Sequence, residues 1–204
     1  FLYIAVYGEF FDFGEVSVAM YISDTIDNGI KSMRKNLEFR YNNSEFLKTY
    51  IPTANFTDVR WEFINAAGHR FCVRGFGAST GVRGFKEYGT RPSWAGFDDL
   101  MSDKNAESAT ITRDIKNIIY KAARQAMHPA KRMVIWTGTP FNQRDPLYEA
   151  AGSSGWNTRV YPICEEFPCA REDFKGAWED RFTFDFVQQE YDTLSENGEI
   201  SAFN

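Results

Sequence analysis

The stretch "ESATITRDIKNIIYKAARQAMHPAKRMVIWTGTP" (residues 107–140) decides the predicted fold. Its first part predicts a helix from Glu107 to Met127, because apolar residues recur on one helical face and Pro129 follows the pattern. That face comprises Ile111, Ile115, Ile118 and Ala122. Its second part, "RMVIWTGTP", predicts a strand that begins at Arg132 and is ended by Pro140. A helix of this length can carry the chain from one parallel strand to the next.

Further strand and helix patterns precede this stretch. "EVSVAMYIS" (15–23) is short, apolar and β-branched, which predicts a buried strand. Asp24 can cap the helix that follows. The apolar residues of that helix share one face: Ile26, Ile30, Met33 and Leu37. "VRWEFINAAGHRFCVRG" (59–75) predicts a β-hairpin around an Ala-Ala-Gly turn, and "SWAGFDD" (93–99) is a candidate strand.

The order strand, helix, strand occurs twice, which predicts an α/β domain with a mainly parallel sheet, flanking helices and a β-hairpin insertion. We expect one domain over residues 1–204, with its core at about 15–152 and a looser part at 153–204. In the looser part "NTRVYPI" (157–163) predicts a strand. "DFVQQEYDTL" (185–194) predicts a helix that begins after Thr183.

Charge and hydropathy exclude two classes of protein. The 204 residues carry a net charge of -5, so the chain as a whole is not a basic nucleic-acid binder and any contact with phosphates must be local. No apolar run reaches the roughly 18 residues that a membrane helix needs. The opening "FLYIAVY" (1–7) is apolar but lacks the basic leader and cleavage site of a signal peptide.

The three cysteines indicate reduced thiols in a cytosolic compartment, because their number is odd and their spacing suggests no pairing. Cys164 and Cys169 are separated by four residues, and His69 and His128 are the only histidines. A zinc site built from this set remains an alternative, although the spacing is poor for one.

Two neighbouring carboxylates, Asp98 and Asp99, end the candidate strand "SWAGFDD". They repel each other when desolvated unless water or a cation relieves the repulsion. The carboxyl ends of parallel strands form one edge where ligands bind, so the acids should lie close to the turn formed by Thr137, Gly138 and Thr139. Such a cleft has the chemistry of a nucleoside-triphosphate site, with Mg²⁺ on one acid and a water oriented by the other. The alternative is an acidic loop beside an ordinary strand exit.

A glycine-rich segment, "GFGASTGVRG" (75–84), lies between the hairpin and the acids. Such a segment can cradle a phosphate, but this one lacks the Gly-Lys-Ser/Thr ending of a Walker A loop. A flexible loop between strands is the alternative interpretation.

Taken in order, these motifs resemble a known family. "FCVRGFGASTGVRG", "SWAGFDDLMSD", a helix of about 20 residues and "RMVIWTGTPFNQRDPLYEA" are similar to the ATPase domain of the large terminase subunit of tailed double-stranded DNA bacteriophages. The resemblance covers residues 16–150 well and the remainder loosely, where "AWEDRFTFDFVQQEYDTL" also matches. It implies a P-loop-NTPase-like fold of the additional-strand, catalytic-carboxylate type. It also implies a motor that couples ATP hydrolysis to the packaging of viral DNA into a procapsid.

The resemblance assigns roles to the acids and to the turn. "FDD" resembles a Walker B motif, so Asp98 would serve Mg²⁺ and Asp99 would be the catalytic carboxylate. The family usually has Glu in the second place, and Glu107 is a less favoured substitute for Asp99. "TGT" resembles the coupling motif, so Thr137, Gly138 and Thr139 would contact the nucleotide and link hydrolysis to movement.

The resemblance also implies an arginine finger. "VRG" resembles the loop that carries it, so Arg83 would stabilise charge on the γ-phosphate, in a neighbouring subunit. The segment between Arg83 and the acids is longer than the family's usual one, which makes Arg91 a rival.

Two family parts are expected outside the sequence. No Gly-Lys pair occurs in it, so a Walker A loop is expected just upstream, with "FLYIAVY" as the end of the helix that it opens. A nuclease domain is expected downstream, which would make the full-length protein an endonuclease as well. The 204-residue chain by itself is expected to be inactive.

The implied cofactors are ATP and Mg²⁺. The implied partners are double-stranded DNA, a portal protein, the small terminase subunit and further copies of the chain in a ring, with no membrane. The implied location is the host cytoplasm, transiently on the procapsid. Two alternatives stay open: a helicase-like or other P-loop ATPase, and a non-catalytic interaction domain.

Overall fold

The computed structural model describes residues 1–102, 108–140, 144–200 and 203. These residues divide into two compact units, Phe1–Gly155 and Trp156–Asn204. Each unit has its own architecture.

A six-stranded mixed sheet forms the centre of the first unit. Its strands are β1 (Val18–Ser23), β2 (Thr53–Phe56), β3 (Arg60–Ile64), β4 (Arg70–Gly77), β5 (Trp94–Asp98) and β6 (Met133–Thr137). The order across the sheet is β2-β3-β4-β1-β5-β6. Strands β4, β1, β5 and β6 are parallel, whereas β2, β3 and β4 pair in antiparallel fashion. The predicted α/β class, the mainly parallel sheet and the β3–β4 hairpin are therefore confirmed.

The helices of the first unit flank this sheet. They are α1 (Leu2–Tyr7), α2 (Lys31–Asn42), α3 (Glu45–Tyr50), α4 (Ala109–Asn117), α5 (Arg124–Ala126) and α6 (Pro146–Ala151). A π-helical turn, Ile26–Ile30, leads into α2. A second π-helical segment, Ile118–Ala123, joins α4 to α5, and we call these three pieces together the crossover helix. The crossover helix connects the parallel neighbours β5 and β6, as predicted.

The start of α2 lies unusually close to the end of β1. A Cβ atom on Gly29 would be 1.9 Å from the Oγ of Ser23, so only glycine permits this approach. The prediction that Asp24 caps the helix was wrong. Thr25 is the N-cap, and its side chain accepts a hydrogen bond from the backbone N–H of Asn28. The predicted face is partly confirmed, because Ile30 and Leu37 are buried.

The buried face of the crossover helix agrees only partly with the predicted one, because Ile115 is buried as predicted but the other three residues are not. The predicted residues Ile111, Ile118 and Ala122 are only half-buried. The buried residues are Thr112, Ile115, Ile119, Ala123 and Ala126. Ile118 and Ile119, and likewise Ala122 and Ala123, are adjacent identical residues, so the sequence pattern does not decide which member of each pair faces the core. Ser108 is the N-cap, and Glu107, at the predicted helix start, lies outside the described residues.

Apolar residues from the sheet and from α1 form the core of the first unit. All six residues of β1 are buried, as expected for a central parallel strand covered on both faces. Trp61, Phe63 and Phe71 of the hairpin are fully buried beneath Ile4 and its neighbours on α1. This core holds the carboxyl ends of the parallel strands in a fixed arrangement.

The second unit is mostly irregular. The predicted strand "NTRVYPI" is absent from the described residues, because this exposed segment pairs with no other strand there. The predicted helix is confirmed as α7 (Phe184–Glu196), with Thr183 as its N-cap. Aromatic rings pack against this helix, with Phe167 at the centre of a cluster formed with Phe184, Tyr191 and Phe203. In the described part of the chain, no helix combines the length and the hydropathy required to span a membrane.

Candidate functional site

The carboxyl ends of β5 and β6 meet, as the sequence predicted. The two strands are parallel neighbours, and Asp98 stands opposite Thr137 in their register. On its other side Asp98 stands opposite Ser23 at the end of β1. Three strands therefore end together, and their last side chains form one polar edge of the sheet.

Hydrogen bonds from both neighbouring strands orient the carboxylate of Asp98. The hydroxyl of Thr137 donates to Oδ1 at 2.7 Å, and the hydroxyl of Tyr21 donates to Oδ2 at 2.7 Å. Burial and the contact with Asp98 raise the pKa of Tyr21 well above its usual value, so Tyr21 is a neutral donor. Each oxygen of Asp98 keeps a further lone pair that can accept from water or bind a cation. Sequence analysis missed Tyr21, whose apolar strand gave no sign of a polar role.

Asp99 turns the chain away from the sheet. Its φ is 42°, an uncommon left-handed value for a non-glycine residue. Its backbone N–H donates to the carbonyl of Thr137, and its carbonyl accepts from the N–H of Asp24. Partial burial and repulsion by Asp98 raise the pKa of Asp99, although a hydrogen bond from the backbone of Thr139 opposes this shift. A raised pKa suits a carboxylate that accepts a proton.

The turn after β6 lies directly against Asp99. Gly138 has a φ of 157°, and a Cβ there would be 3.2 Å from Oδ1 of Asp99 and 3.3 Å from Cδ2 of Leu147. A side chain would therefore push on the carboxylate. The structure brings together all five residues predicted to contact nucleotide or metal: Asp98, Asp99, Thr137, Gly138 and Thr139.

Two cavities border Asp99. The larger, about 360 Å³, lies between the end of β1 and α2. One wall carries the carboxylates of Asp24, Asp98 and Asp99, and the opposite wall carries Asn28, Ser32 and Asn36. Its volume is within the range of small-ligand sites.

The smaller cavity, about 10 Å³, lies on the other side of Asp99, between the turn after β6 and α6. This volume is close to what one water molecule needs. Asp145 borders it, is almost fully buried and accepts a hydrogen bond from the N–H of Leu147 as the N-cap of α6. Sequence analysis missed Asp145, although the Asp-Pro pair at 145–146 is a recognisable helix start.

The two candidate arginines have different surroundings. Arg83 is exposed, as predicted. The loop that carries Arg83 is nevertheless packed against the rest of the unit, because the preceding Val82 is buried and the ring of Phe85 packs against Phe76. Arg91 donates hydrogen bonds to the carbonyls of Gln125 and Ala126 and so caps the end of the crossover helix.

The loop that carries Arg83 is also fixed at its far end. Arg60 of β3 donates to Glu87 at 2.8 Å and to the hydroxyl of Tyr88 at 2.7 Å. Tyr88 in turn donates to Glu62 at 2.7 Å, and Arg70 lies over its ring. This network attaches the end of the loop to the hairpin.

One residue that lines the larger cavity, Asp98, has the chemistry of a magnesium ligand. Mg²⁺ prefers one or two carboxylates together with water and phosphate oxygens, and Asp98 offers an oriented carboxylate beside the hydroxyl of Thr137. The cavity does not by itself fit a triphosphate, because the described residues that line it include no Lys or Arg. Nor do the described residues contain a group of three or more His, Cys, Asp or Glu placed to hold a metal ion by itself.

No protein-family model matches the chain, and no curated protein matches it significantly.

Proposed function

We propose that the chain is part of the ATPase core of a viral genome-packaging motor, a terminase large subunit. The observation that carries this proposal is the placement of Asp98 and Asp99 against the Thr137–Thr139 turn at the carboxyl edge of the sheet. The ordered motifs that resemble terminases support the same proposal. The fold would then be P-loop-NTPase-like, of the additional-strand, catalytic-carboxylate type.

The proposed chemistry assigns separate tasks to the two acids. Asp98 would hold Mg²⁺ through coordinated water, and Tyr21 and Thr137 would keep its carboxylate oriented. The ion, when bound, compensates negative charge on phosphate oxygens. Asp99 would orient a water molecule and accept its proton, which its raised pKa favours. The water-sized cavity beside Asp99 supports this assignment.

Arg83 is the better candidate for the arginine finger. The side chain of Arg83 is exposed on a well-packed loop. The guanidinium of Arg91, in contrast, already donates hydrogen bonds to two carbonyls at a helix end. An exposed arginine can reach a nucleotide in a neighbouring copy, which agrees with the proposed ring. Double-stranded DNA, a portal protein and the small terminase subunit are the corresponding partners, in the host cytoplasm.

Phosphate release from Mg-ATP by the full-length protein, with and without double-stranded DNA, tests the proposal. Asp99→Asn should lower kcat by about 100-fold or more, the usual contribution of a positioned acid or base. Asp98→Asn should also lower kcat, because Mg²⁺ would lose its carboxylate. Asp12→Asn, at an exposed position outside the site, should leave kcat unchanged. If the unaltered protein hydrolyses no ATP, the proposal fails and a non-catalytic interaction domain becomes the better interpretation.

A further inference from the structure

An apolar groove runs along α7 in the second unit. Its volume is about 560 Å³. Phe167, Phe182, Phe186 and Leu194 contribute much of its apolar surface, and Phe186 is 45% exposed. An aromatic side chain with that much exposure inside a groove leaves apolar area that a ligand could cover.

The rim of this groove is acidic. Glu165, Glu166 and Glu190 line it, and all three are exposed. Residues 156–204 contain four Lys and Arg against eleven Asp and Glu, a net charge of -7, whereas residues 1–155 carry 19 against 17, a net charge of +2. Two of the four bases are engaged locally: Arg171 pairs with Asp185, and Arg181 lies over the ring of Phe182. The groove therefore combines an apolar floor with a negative rim.

We propose that this groove binds an amphipathic helix of a protein partner, with apolar anchors on one face and Lys or Arg beside them. Phe186, Glu190 and Leu194 recur every four residues along α7, which forms a ridge about 12 Å long. A partner helix of two to three turns can pack its own ridge along such a surface. The three glutamates select for basic flanks and against nucleic acid, whose phosphates they repel.

Fluorescence anisotropy with a designed peptide tests the proposal on the full 204-residue chain. The probe is a labelled helix of about 16 residues, roughly four turns, with leucines at i, i+3, i+4 and i+7 spacing and lysines elsewhere. A peptide of the same composition with its leucines evenly scattered is the control. The periodic peptide should bind at least about tenfold more tightly than the scattered one, because only it presents an apolar face.

Matched charge variants separate the groove from the general acidity of the unit. The triple change E165Q/E166Q/E190Q should weaken binding about tenfold at low salt and flatten its salt dependence. The control triple E172Q/E196Q/E199Q removes the same charge outside the groove lining and should have little effect. Phe186→Ala should weaken binding at all salt concentrations. Equal weakening by both triples, or equal binding of both peptides, would overturn the proposal in favour of unspecific attraction.

The cysteines supply an independent readout. Cys164 lines the groove, Cys169 belongs to the same unit but does not line it, and both are half-buried. The bound peptide should slow the alkylation of Cys164 several-fold relative to that of Cys169, as followed by mass spectrometry. Cys72 is an internal reference for folding, because it is buried and burial raises its pKa to about 12. A dimeric chain with Cys164 already protected before peptide is added would instead assign the groove to a second copy.

Discussion

Tyr21 and Asp98 lie on neighbouring parallel strands and share a 2.7 Å hydrogen bond at the carboxyl edge of the sheet. Tyr21 is almost fully buried, although it also lines the larger cavity together with Asp98. The bond fixes one oxygen of Asp98, and Thr137 fixes the other.

Removal of the Tyr21 hydroxyl should destabilise the fold through Asp98. Tyr21→Phe should lower the free energy of unfolding by about 1.5 to 3 kcal/mol, the range for a hydrogen bond to a charged group. Tyr41→Phe is the control, because Tyr41 donates to the neutral carbonyl of Ile51 and should cost about 0.5 to 1.5 kcal/mol. Urea unfolding measures both. In an Asp98→Asn background, Tyr21→Phe should lower the free energy of unfolding by less than it does in the unaltered chain. An equal decrease in both backgrounds would contradict the hydrogen bond between Tyr21 and Asp98.

Asp99 should oppose stability at neutral pH. Its pKa is raised, mainly by burial and then by Asp98, so the folded chain binds this proton more tightly than the unfolded chain does. Ionisation of Asp99 therefore lowers the free energy of unfolding. This loss develops as the pH rises from the ordinary Asp range through the raised pKa of Asp99. Asp99→Asn should therefore stabilise the chain at pH 7, and the gain should vanish as the medium becomes acidic. Asparagine also tolerates the positive φ.

A control of opposite sign is available for this pH dependence. Asp185 pairs with Arg171, which lowers the pKa of that carboxyl, so Asp185→Asn should remove a favourable interaction at neutral pH. Thermal unfolding of both variants between pH 4 and 7 measures the two trends. If the stability effects of both variants changed in the same direction with pH, the raised pKa of Asp99 would not be the cause of the pH dependence of Asp99→Asn.

Gly138 should tolerate no side chain. Gly138→Ala combines an unfavourable φ with a contact of 3.2 Å to the Asp99 carboxylate, and should cost about 1 to 3 kcal/mol. Gly152→Ala is the matched control, because Gly152 has a helical φ of -81° and its nearest neighbour to a new Cβ would be at 3.8 Å. Gly152→Ala should change the free energy of unfolding by less than about 0.5 kcal/mol. Similar losses from both changes would contradict the close approach.

The two arginines should respond differently to truncation. Arg83→Ala should leave the free energy of unfolding within about 0.5 kcal/mol, because the side chain is exposed. In the full-length protein it should lower ATP hydrolysis by about 10³ to 10⁵ while ATP binding is nearly unchanged. Arg91→Ala should cost about 1 to 2 kcal/mol through its two lost hydrogen bonds. If turnover survives Arg83→Ala and fails with Arg91→Ala, the finger is Arg91.

The sequence predicted the elements whose pattern is local. The crossover from β5 to β6 followed from two apolar runs with a long helix between them, and the meeting of Asp98 with Thr137 followed from the geometry of parallel strands. The partner of Asp98 on β1 could not be predicted, because residues 77 positions apart meet only through the register of the sheet. The buried face of the crossover helix was partly missed, since Ile118 and Ile119, and likewise Ala122 and Ala123, are adjacent identical residues and the sequence does not show which member faces the core.

In the second unit, residue composition alone was a poor guide to strand formation. "NTRVYPI" has the β-branched and aromatic content of a strand, yet its residues find no partner strand in the described part of the chain. Strand formation needs a pairing edge, which local propensity does not supply. The helix α7 needed no such partner, and Thr183 as its N-cap was visible in the sequence.

The packing of the loop around Arg83 lowers the conformational entropy that this loop would lose on contact with another molecule. Ordering a free loop costs about 1 to 2 kcal/mol for each backbone residue that must be fixed. Here Val82 is already buried, and Glu87 is already bonded to Arg60. When a neighbouring molecule contacts this surface, mainly the side chain of Arg83 therefore loses conformational freedom. An arginine side chain carries about 2 kcal/mol of rotamer entropy. Contact through Arg83 can thus form and break repeatedly without refolding the segment that presents it.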